Sequence, residues 1–386
     1  MFNPARALRV VIVVGEASGD VLGSALLKEL NQRFLGLESF GIGGPLMVHQ
    51  GFSPWYSMSE LSVMGYIEVL LKLPRLLRIR SSLAKKIVSY KPDLVIGVDA
   101  PDFNLSLERT IRNSGIPVMH LVSPSIWAWR YERIHKIRQS VDHMLVLFPF
   151  EEKIYEQEGI PVSYVGHPLA DEIEPEVDRS NYRSKLGFSS SKKIVALLPG
   201  SRKTELKQHL NLMLDAAKLI QNSSPEIRFL VPLLDNEAHN FVHSILSRRN
   251  VNLNGTIDFV VGKTQDALKA ADIAIIASGT ATLEGLLCEC PMVVTYKVSK
   301  LTAWLMRLQA NARFVSLPNI ISNESLVSEL IQEDAQPDLL ANEVISMLEN
   351  SDQLVSLRER FRRIKSSLRM GSAKRSADVI EQFLNV

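Results

Sequence analysis

Two glycine-containing turns, one in each half of the chain, most strongly restrict how this sequence can fold. The first turn spans residues 15–20 and follows the apolar segment 8–14, and the second spans residues 277–284 and follows segment 272–276. In open parallel sheets, ligands bind at the carboxyl ends of strands, where small residues and helix N-termini leave backbone N–H groups available. The two turns therefore predict two lobes that face each other across a cleft.

Short segments rich in Val, Ile and Leu alternate with longer helical patterns along the 386 residues. Such alternation is typical of an α/β fold with a doubly wound parallel sheet. The series restarts at residue 194, so we predict Rossmann-like lobes at residues 1–170 and 171–350, followed by a helical tail at residues 351–386. The tail is expected to pack on the N-terminal lobe or on a partner chain. The predicted strands are 8–14, 39–42, 94–98, 118–122, 144–147, 163–165, 194–198, 228–232, 258–261, 272–277 and 292–295.

The composition limits the compartment and the kind of ligand. A net charge of +2 gives no global indication of nucleic acid binding. The only two cysteines, Cys288 and Cys290, provide neither a disulfide framework nor the ligand set of a zinc site. No signal-peptide pattern precedes the first strand, and no apolar segment approaches the roughly 20 residues of a membrane-spanning helix. We therefore expect a cytoplasmic protein.

Small and acidic residues form the first turn. Gly15, Ser18 and Gly19 allow a ligand to approach the backbone, and Glu16 and Asp20 add carboxylates at the start of a helix. The spacing is not G-x-G-x-x-G, so dinucleotide binding is poorly supported. Asp20 is equally compatible with a helix-capping role.

Two further strand ends in the first half carry polar and aromatic side chains. Asp99 and Asp102 follow the strand at 94–98, and a carboxylate there can accept a proton from an attacking hydroxyl. Asp99 leaves the strand first and is the better candidate, although turn and capping roles remain open for both acids. Trp127 and Trp129 lie in the loop after the strand at 118–122, where they can stack on a sugar or form the rim of the lobe.

The second half carries the features of a nucleotide-diphosphate site. Arg202 follows a glycine turn, and its planar guanidinium suits a diphosphate. Ser278, Gly279 and Thr280 begin a helix whose N-terminus attracts anions, and Glu284 one turn later can accept hydrogen bonds from ribose hydroxyls. The sequence lacks the NTPase loop, a D-x-D pair and any His/Cys cluster, so we expect neither a metal ion nor a cofactor.

Six motifs together resemble one family. They are residues 15–20, 99–104, 123–130, 198–202, 277–284 and 316–319. In this combination and order they closely resemble the lipid-A-disaccharide synthases, bacterial glycosyltransferases with the GT-B fold. The resemblance extends from about residue 8 to about residue 340.

The resemblance implies an inverting transfer from UDP-2,3-diacylglucosamine to 2,3-diacylglucosamine 1-phosphate (lipid X). The product is the β-1,6-linked lipid A disaccharide 1-phosphate, and UDP is released. Asp99 would deprotonate the acceptor 6-hydroxyl or orient the acceptor. Arg202 and residues 278–280 would hold the diphosphate, Glu284 the ribose, and Asn319 would also lie in the donor site. Glu16, Ser18 and Asp20 would line the facing lip.

The acyl chains of the implied substrates explain why two segments mix apolar and basic residues. Residues 63–80 combine leucines with arginines around Pro74, and residues 301–308 are similar. Such segments suit the surface of an anionic membrane, here the cytoplasmic face of the inner membrane, although a core-facing amphipathic helix explains them too. The residues expected at the membrane are Met64, Leu70, Leu71, Arg75, Leu76, Arg78, Arg80 and Trp304. A homodimer is compatible with the helical tail.

Two other functions remain open on the sequence alone. A UDP-N-acetylglucosamine 2-epimerase or another soluble GT-B transferase would share the fold but would need neither the tryptophan loop nor the apolar-basic segments. A sugar-nucleotide-binding protein without catalytic activity would bind UDP but would release no UDP in the presence of both lipid substrates.

Overall fold

The computed structural model describes residues 7–61, 66–189, 192–249, 255–298 and 313–384. The chain divides into two compact units, of which the first comprises Met1–Asp171 with Leu368–Val386 and the second comprises Glu172–Ser367. Residues 351–367 of the predicted tail thus belong to the second unit, and residues 368–386 belong to the first.

The first unit contains a parallel sheet of seven strands. These are β1 (Arg9–Val14), β2 (Glu38–Gly43), β3 (Ser53–Ser57), β4 (Leu94–Val98), β5 (Val118–Leu121), β6 (His143–Val146) and β7 (Val162–Tyr164). Their spatial order is β3-β2-β1-β4-β5-β6-β7. The helices between them are α1 (Ala17–Arg33), α2 (Pro45–His49), α3 (Tyr66–Tyr90), α4 (Pro101–Arg112), α5 (Arg133–Ser140), α6 (Pro149–Gln157) and α7 (Pro168–Glu172). All residues of β4 and β5 are buried, as their apolar sequences predict for central strands covered on both faces.

The second unit repeats this arrangement with six parallel strands. They are β8 (Ile194–Leu198), β9 (Arg228–Leu233), β10 (Ile257–Val261), β11 (Ile273–Ala277), β12 (Met292–Tyr296) and β13 (Ser328–Ile331). Their spatial order is β10-β9-β8-β11-β12-β13. The described helices are α8 (Arg179–Lys185), α9 (Lys203–Ser223), α10 (Asn236–Arg249), α11 (Thr264–Ala270), α12 (Thr280–Leu287), α13 (Leu317–Ser322), α14 (Pro337–Glu349) and α15 (Ser351–Leu368).

The predicted α/β class with two Rossmann-like units is confirmed, and each predicted strand corresponds to an observed strand. Two strands were not predicted, β3 and β13, and each is one of the two edge strands of its sheet. Neither strand contains a fully buried residue, and β3 contains Pro54. Edge strands are short and partly polar because one side faces no partner strand, so they lack the apolar pattern that identifies central strands.

The last helix, α16 (Ser372–Leu384), belongs to the first unit and packs against α1. Ile380 and Leu384 lie in the same apolar cluster as residues of α1. Arg33 of α1 forms ion pairs with Asp378 at 2.6 Å and with Glu381 at 3.0 Å. Apolar contacts and paired charges therefore both hold the end of the chain in place.

A buried ion pair links β5 to α4 beneath the carboxyl edge of the first sheet. The Nδ1 atom of His120 lies 2.6 Å from an oxygen of Glu108, and both side chains are almost completely buried. Gly97 on the neighbouring strand provides the space, because a Cβ atom there would lie 1.9 Å from the Glu108 carboxylate. Burial by itself would lower the pKa of His120, but the adjacent Glu108 carboxylate outweighs it and raises that pKa above its ordinary value.

We expect this pair to stabilise the fold in a pH-dependent way. Because the pKa of His120 is raised in the folded state, the stabilisation is complete below the unfolded-state pKa of about 6.5 and decreases as the pH rises through the folded-state value. Glu108→Gln should lower the free energy of unfolding by about 3 kcal/mol at about pH 6, and by less once the pH exceeds the folded-state pKa of His120. Urea denaturation across this range measures the difference.

Glu289→Gln is the matched control for the effect of removing a buried carboxylate. Glu289 is also buried, and it pairs with Lys365 at 3.3 Å and with Arg362 at 2.8 Å. The loss of unfolding free energy caused by Glu289→Gln should not change as His120 titrates. Equal pH dependence of the two variants would contradict the assignment of the His120–Glu108 pair.

Candidate active site

The carboxyl ends of β1 and β4 meet where the strand order of the first sheet reverses, which is where ligands bind in open α/β sheets. Asp99 and Ala100 have positive φ angles of 51° and 47°. Consecutive left-handed residues other than glycine are uncommon and are concentrated at functional sites. The Nδ2 atom of buried Asn104 donates to the Asp99 carbonyl at 2.8 Å and to the Val13 carbonyl at 3.2 Å, which holds the turn against β1.

The glycine turn after β1 lies against this strained turn. A Cβ atom on Gly15 would lie 2.6 Å from the Cβ atom of Ala100, so only glycine fits there. Glu16 and Ser18 are exposed, and Gly19 is buried close to Val14. The structure therefore presents Glu16 and Ser18 to solvent at the edge that carries Asp99.

Asp20 occupies a different environment from the exposed residues of its turn. It is buried, and its carboxylate accepts hydrogen bonds from the backbone N–H groups of Gly44 at 3.0 Å, Leu46 at 3.0 Å and Met47 at 3.1 Å. These groups belong to the N-terminal turn of α2. The carboxylate thus caps a neighbouring helix, a variant of the capping role that the sequence left open.

Asp99 borders two cavities of different chemistry. The first has a volume of about 270 Å³ and is lined by Ser123, Ser125, Trp129 and Arg133 in addition to Asp99. The second has a volume of about 380 Å³ and is lined mainly by apolar side chains. Its lining includes Gly15, Glu16, Leu61, Leu73, Leu76, Leu77 and Phe103. One carboxylate therefore lies beside both a polar, aromatic cavity and a leucine-rich one.

The two tryptophans of the loop after β5 have separate roles. The Trp127 indole donates from Nε1 to Glu151 at 3.1 Å and packs edge-on against Phe150, so it anchors the loop. Trp129 is 43% exposed and lines the polar cavity. Of the two tryptophans, only Trp129 lines this cavity, and the Arg130 and Arg133 guanidinium groups lie over its ring.

The buried carboxylate of Glu151 stabilises this loop through its contact with Trp127. Glu151 also accepts from the Phe148 backbone N–H at 3.1 Å, and burial raises its pKa to about 7. Nearby, Ser123 shares a hydrogen bond of 2.7 Å with the Tyr155 hydroxyl. This network was not predicted, because its members come from two separate segments, the loop after β5 and α6.

The second sheet reverses its strand order between β8 and β11, and the predicted donor residues lie at the carboxyl ends of those strands. Arg202 precedes α9, and its side chain is 81% exposed. Glu205 accepts from the backbone N–H groups of Ser201 at 3.0 Å and Arg202 at 3.2 Å, so the N-terminus of α9 carries its own carboxylate. The Arg202 guanidinium also donates to Glu205 at 3.3 Å, but it is largely exposed and keeps further N–H donors for an anion.

A histidine that was not predicted connects α9 to β12. His209 is buried, its Nδ1 atom lies 3.0 Å from the Glu205 carbonyl, and its Nε2 atom accepts from the Lys297 backbone N–H at 3.1 Å. Burial lowers the pKa of His209, which favours the neutral ring that these two contacts require. The side chain positions the Arg202 turn beside the end of β12.

The turn between β11 and α12 has a conformation that suits glycine. Gly279 has φ of 150° and ψ of −162°, and a Cβ atom there would meet no atom within 4 Å. Ser278 donates from its hydroxyl to the Val315 carbonyl at 3.1 Å, and Thr282 accepts from the Leu317 backbone N–H at 3.2 Å. These two contacts place the N-termini of α12 and α13 side by side, facing open space at Gly279.

Glu284 lies one turn inside α12 and is partly buried. In the described ranges no hydrogen bond to its carboxylate is observed, and burial raises its pKa. A carboxylate in such a position gains from hydroxyl donors on a ligand.

Asn319 is completely buried rather than presented at the surface. Its Nδ2 atom donates to the Val327 carbonyl at 2.9 Å and to Glu329 at 2.8 Å, and its Oδ1 atom accepts from the Val327 backbone N–H at 2.8 Å. Glu329 also accepts from the Ser316 backbone N–H at 2.8 Å and hydroxyl at 2.6 Å. Asn319 and Glu329 together therefore hold the start of α13 in place.

The segment proposed for membrane contact is only partly described. Met64 and Trp304 lie outside the described residues, and nothing is described of the Leu70 and Leu71 side chains. Arg75 and Arg78 are exposed, and Leu73 and Leu77 are 42% and 44% exposed. Leu76 and Arg80 are partly buried beside the leucine-rich cavity. This part of α3 thus presents both arginines and leucines at the surface.

The part of the chain that the structure describes contains neither a cluster of metal-ligating side chains nor a membrane-spanning helix. No group of three or more His, Cys, Asp or Glu side chains is suited to hold a metal ion. No described helix is both long enough and apolar enough to cross a membrane.

The two units with their paired switch points define the GT-B class, and solved structures share this fold. UDP-GlcNAc 2-epimerase from Neisseria meningitidis, solved with UDP-GlcNAc bound, matches with a TM-score of 0.64 and 14% identity, covering 98% of this chain and 100% of that one. The glycosyltransferase of kitacinnamycin matches with a TM-score of 0.62 and 15% identity, covering 98% and 99% of the two chains.

Sequence relatives identify the family within this class. The family model for lipid-A-disaccharide synthetase matches residues 10–383. Lipid-A-disaccharide synthase from Methylobacillus flagellatus is 43% identical over 374 residues, covering 97% of this chain and 98% of the relative. The enzyme of that name from Cellvibrio japonicus is 42% identical over 381 residues, covering 98% and 97%. The chain therefore belongs to the lipid-A-disaccharide synthetase family, and the family prediction is confirmed.

We expect the ionisation of Glu151 to be visible in the fluorescence of Trp127. The carboxylate accepts from the indole N–H at 3.1 Å and its pKa is about 7, so Trp127 emission should change with a midpoint near that pH. A pH titration of tryptophan emission measures the midpoint. Glu151→Gln and Trp127→Phe should both abolish the transition, whereas the control Trp55→Phe should retain it. A transition that persists in Glu151→Gln would contradict the assignment.

Proposed function

We propose that this chain transfers a diacylglucosaminyl group from UDP-2,3-diacylglucosamine to the 6-hydroxyl of 2,3-diacylglucosamine 1-phosphate. The position of Asp99 between a polar cavity and a leucine-rich cavity is the main observation in support. The acceptor has a polar sugar phosphate and two acyl chains, so its chemistry matches this pair of cavities. Family membership supports the same reaction.

Asp99 acts as the general base in this proposal. Its carboxylate takes the proton from the acceptor 6-hydroxyl while the oxygen attacks C1 of the donor sugar. The bond from C1 to the diphosphate oxygen breaks, UDP leaves with the bonding electrons, and the α-linked donor gives a β-linked product. Asn104 contributes indirectly because its amide holds the Asp99 carbonyl at 2.8 Å.

The second unit binds the UDP part of the donor. The N-terminus of α12 and the exposed Arg202 guanidinium supply positive potential for the diphosphate. Glu284 accepts hydrogen bonds from the ribose hydroxyls. Asn319 acts through the fold, because it positions the start of α13. These groups neutralise the leaving diphosphate without a metal ion.

Asp99→Asn should lower kcat by about 10²- to 10⁴-fold, because the amide cannot accept the hydroxyl proton. The affinity for UDP should not change. A radiolabelled assay with both lipid substrates measures turnover, and calorimetry measures UDP binding. Chelating agents should leave wild-type turnover unchanged.

Asp102→Asn is the control, since Asp102 lies three residues further along the same segment and its side chain is 86% exposed. This variant should retain turnover. Normal turnover by Asp99→Asn would refute the base assignment. Conversion of UDP-N-acetylglucosamine without any lipid acceptor would favour an epimerase instead.

We also propose that the protein works at the cytoplasmic face of the inner membrane, where α3 contacts anionic lipids. The exposed leucines and arginines of residues 73–78 are the chemistry that such a surface attracts. Leu73, Leu76 and Leu77 also line the leucine-rich cavity, so the same residues offer acyl chains a continuous apolar path. A homodimer is part of the same proposal.

Charge reversal of Arg75, Arg78 and Arg80 to Glu should weaken binding to anionic vesicles by at least about 100-fold, since each basic residue near such a surface contributes about 1 kcal/mol. Vesicle co-sedimentation at low and high salt measures binding. A charge-matched control reverses Arg363, Arg369 and Lys374 and should bind nearly as well as wild type. Equal binding by the α3 variant and wild type would exclude this contact.

A further inference from the structure

The polar cavity beside Asp99 contains an arginine that the proposed reaction has not yet used. Arg133 is the first residue of α5 and lines the cavity together with Asp99, Ser123, Ser125 and Trp129. Its side chain is only 17% exposed, so the guanidinium is largely withdrawn from water. A partly desolvated cation next to a cavity interacts more strongly with an anion than a fully solvated one does.

The ion pair with Asp102 does not use all the hydrogen-bond donors of Arg133. Arg133 donates to Asp102 at 2.8 Å, but the Asp102 side chain is 86% exposed. Ion pairs with such an exposed partner are weak because solvent screens them. An arginine has five N–H donors, so one contact with Asp102 leaves donors for a second anion.

Other cations lie near this arginine. Burial lowers the pKa of Lys136 one turn further along α5, and the nearby positive charges of Arg80 and Arg133 lower it further, although Asp102 and Glu108 oppose the change. Arg80 in turn lines the leucine-rich cavity that shares Asp99. A region in which cations destabilise one another gains free energy from a bound anion.

Trp129 completes the polar cavity with a surface for a sugar ring. The guanidinium of Arg133 lies 5.4 Å from the centre of the Trp129 ring, and that of Arg130 lies 4.6 Å away. Trp129 therefore holds Arg133 against an aromatic surface, which reduces the entropy that the guanidinium loses on binding a ligand.

We propose that Arg133, supported by the Ser125 hydroxyl, binds the anomeric phosphate of the acceptor and makes the enzyme specific for a phosphorylated acceptor. The inference rests on the proposed function and assigns a subsite to it. With the phosphate at Arg133 and the acyl chains in the leucine-rich cavity, the acceptor is held on both sides of Asp99. Arginine suits this role because its planar fork binds two phosphate oxygens at once.

The decisive comparison uses two acceptors, 2,3-diacylglucosamine 1-phosphate and the same lipid without its phosphate. Arg133→Gln should lower kcat/KM for the phosphorylated acceptor by about 10- to 100-fold, the usual effect of losing a hydrogen bond to a charged group. It should change kcat/KM for the dephosphorylated acceptor by less than about 3-fold. The KM for the donor should not change, and Arg133→Lys should restore part of the loss.

Two control variants separate this role from a structural one. Asp102→Asn removes the partner of Arg133 but keeps the guanidinium, so it should retain or improve kcat/KM for the phosphorylated acceptor. If the Arg133–Asp102 pair served only the fold, Asp102→Asn and Arg133→Gln would cause equal losses. Arg138→Gln removes an arginine of the same helix that pairs with Glu158 and does not line the cavity, and it should behave as wild type.

A binding experiment tests the subsite independently of turnover. Calorimetric titration with soluble glucosamine 1-phosphate should detect binding to wild type and at least about 10-fold weaker binding to Arg133→Gln. If no lipid acceptor is turned over but this difference persists, the proposed reaction fails and the phosphate subsite remains. Equal losses with both acceptors, or equal binding of glucosamine 1-phosphate to both proteins, would overturn the subsite.

Discussion

The close approach of two turns at the carboxyl edge of the first sheet is the constraint on which the proposed acceptor site depends. Asp99 and Ala100 adopt left-handed backbone conformations, and the space for them exists only because residue 15 lacks a Cβ atom. The amide of Asn104 bridges the strained turn to β1. Because the strain is held by the buried strands around it, the Asp99 carboxylate has a defined position before any ligand arrives.

The second unit also fixes the positions of its turns, but it does so through side-chain hydrogen bonds instead of a close approach of two backbones. The proposed anion site depends on the N-terminus of α12 and on Arg202, whose positions are set by hydrogen bonds from neighbouring side chains. Ser278 and Thr282 connect the turn before α12 to the turn before α13, and Asn319 and Glu329 hold the latter. His209 performs the same task for the Arg202 turn. Residues that look like ligands in the sequence can therefore contribute by positioning others.

The sequence predicted the fold well for a physical reason. Central parallel strands are buried on both faces, so each appears as an apolar segment such as that of β4 or β11. Residues at strand ends were also predictable, because Asp99, Arg202 and Gly279 follow such segments directly. The edge strands β3 and β13 were missed because they bury too little apolar surface to produce a pattern. Asp20 and Asn319 were found as polar residues near a site, but sequence alone could not show that both are buried and bonded to backbone.

By itself, the sequence determined the two Rossmann-like units, the family, and the turns that carry Asp99, Arg202 and residues 278–280. These follow from local patterns, which depend on neighbouring residues along the chain. Only the tertiary structure decided which side chains share a cavity with Asp99, because Trp129 and Arg133 follow β5 whereas Leu73 comes from α3. It also decided that the carboxylates of Asp20 and Glu151 are enclosed by the fold. Burial and cavity chemistry are properties of packing, and packing brings together residues that are distant in sequence.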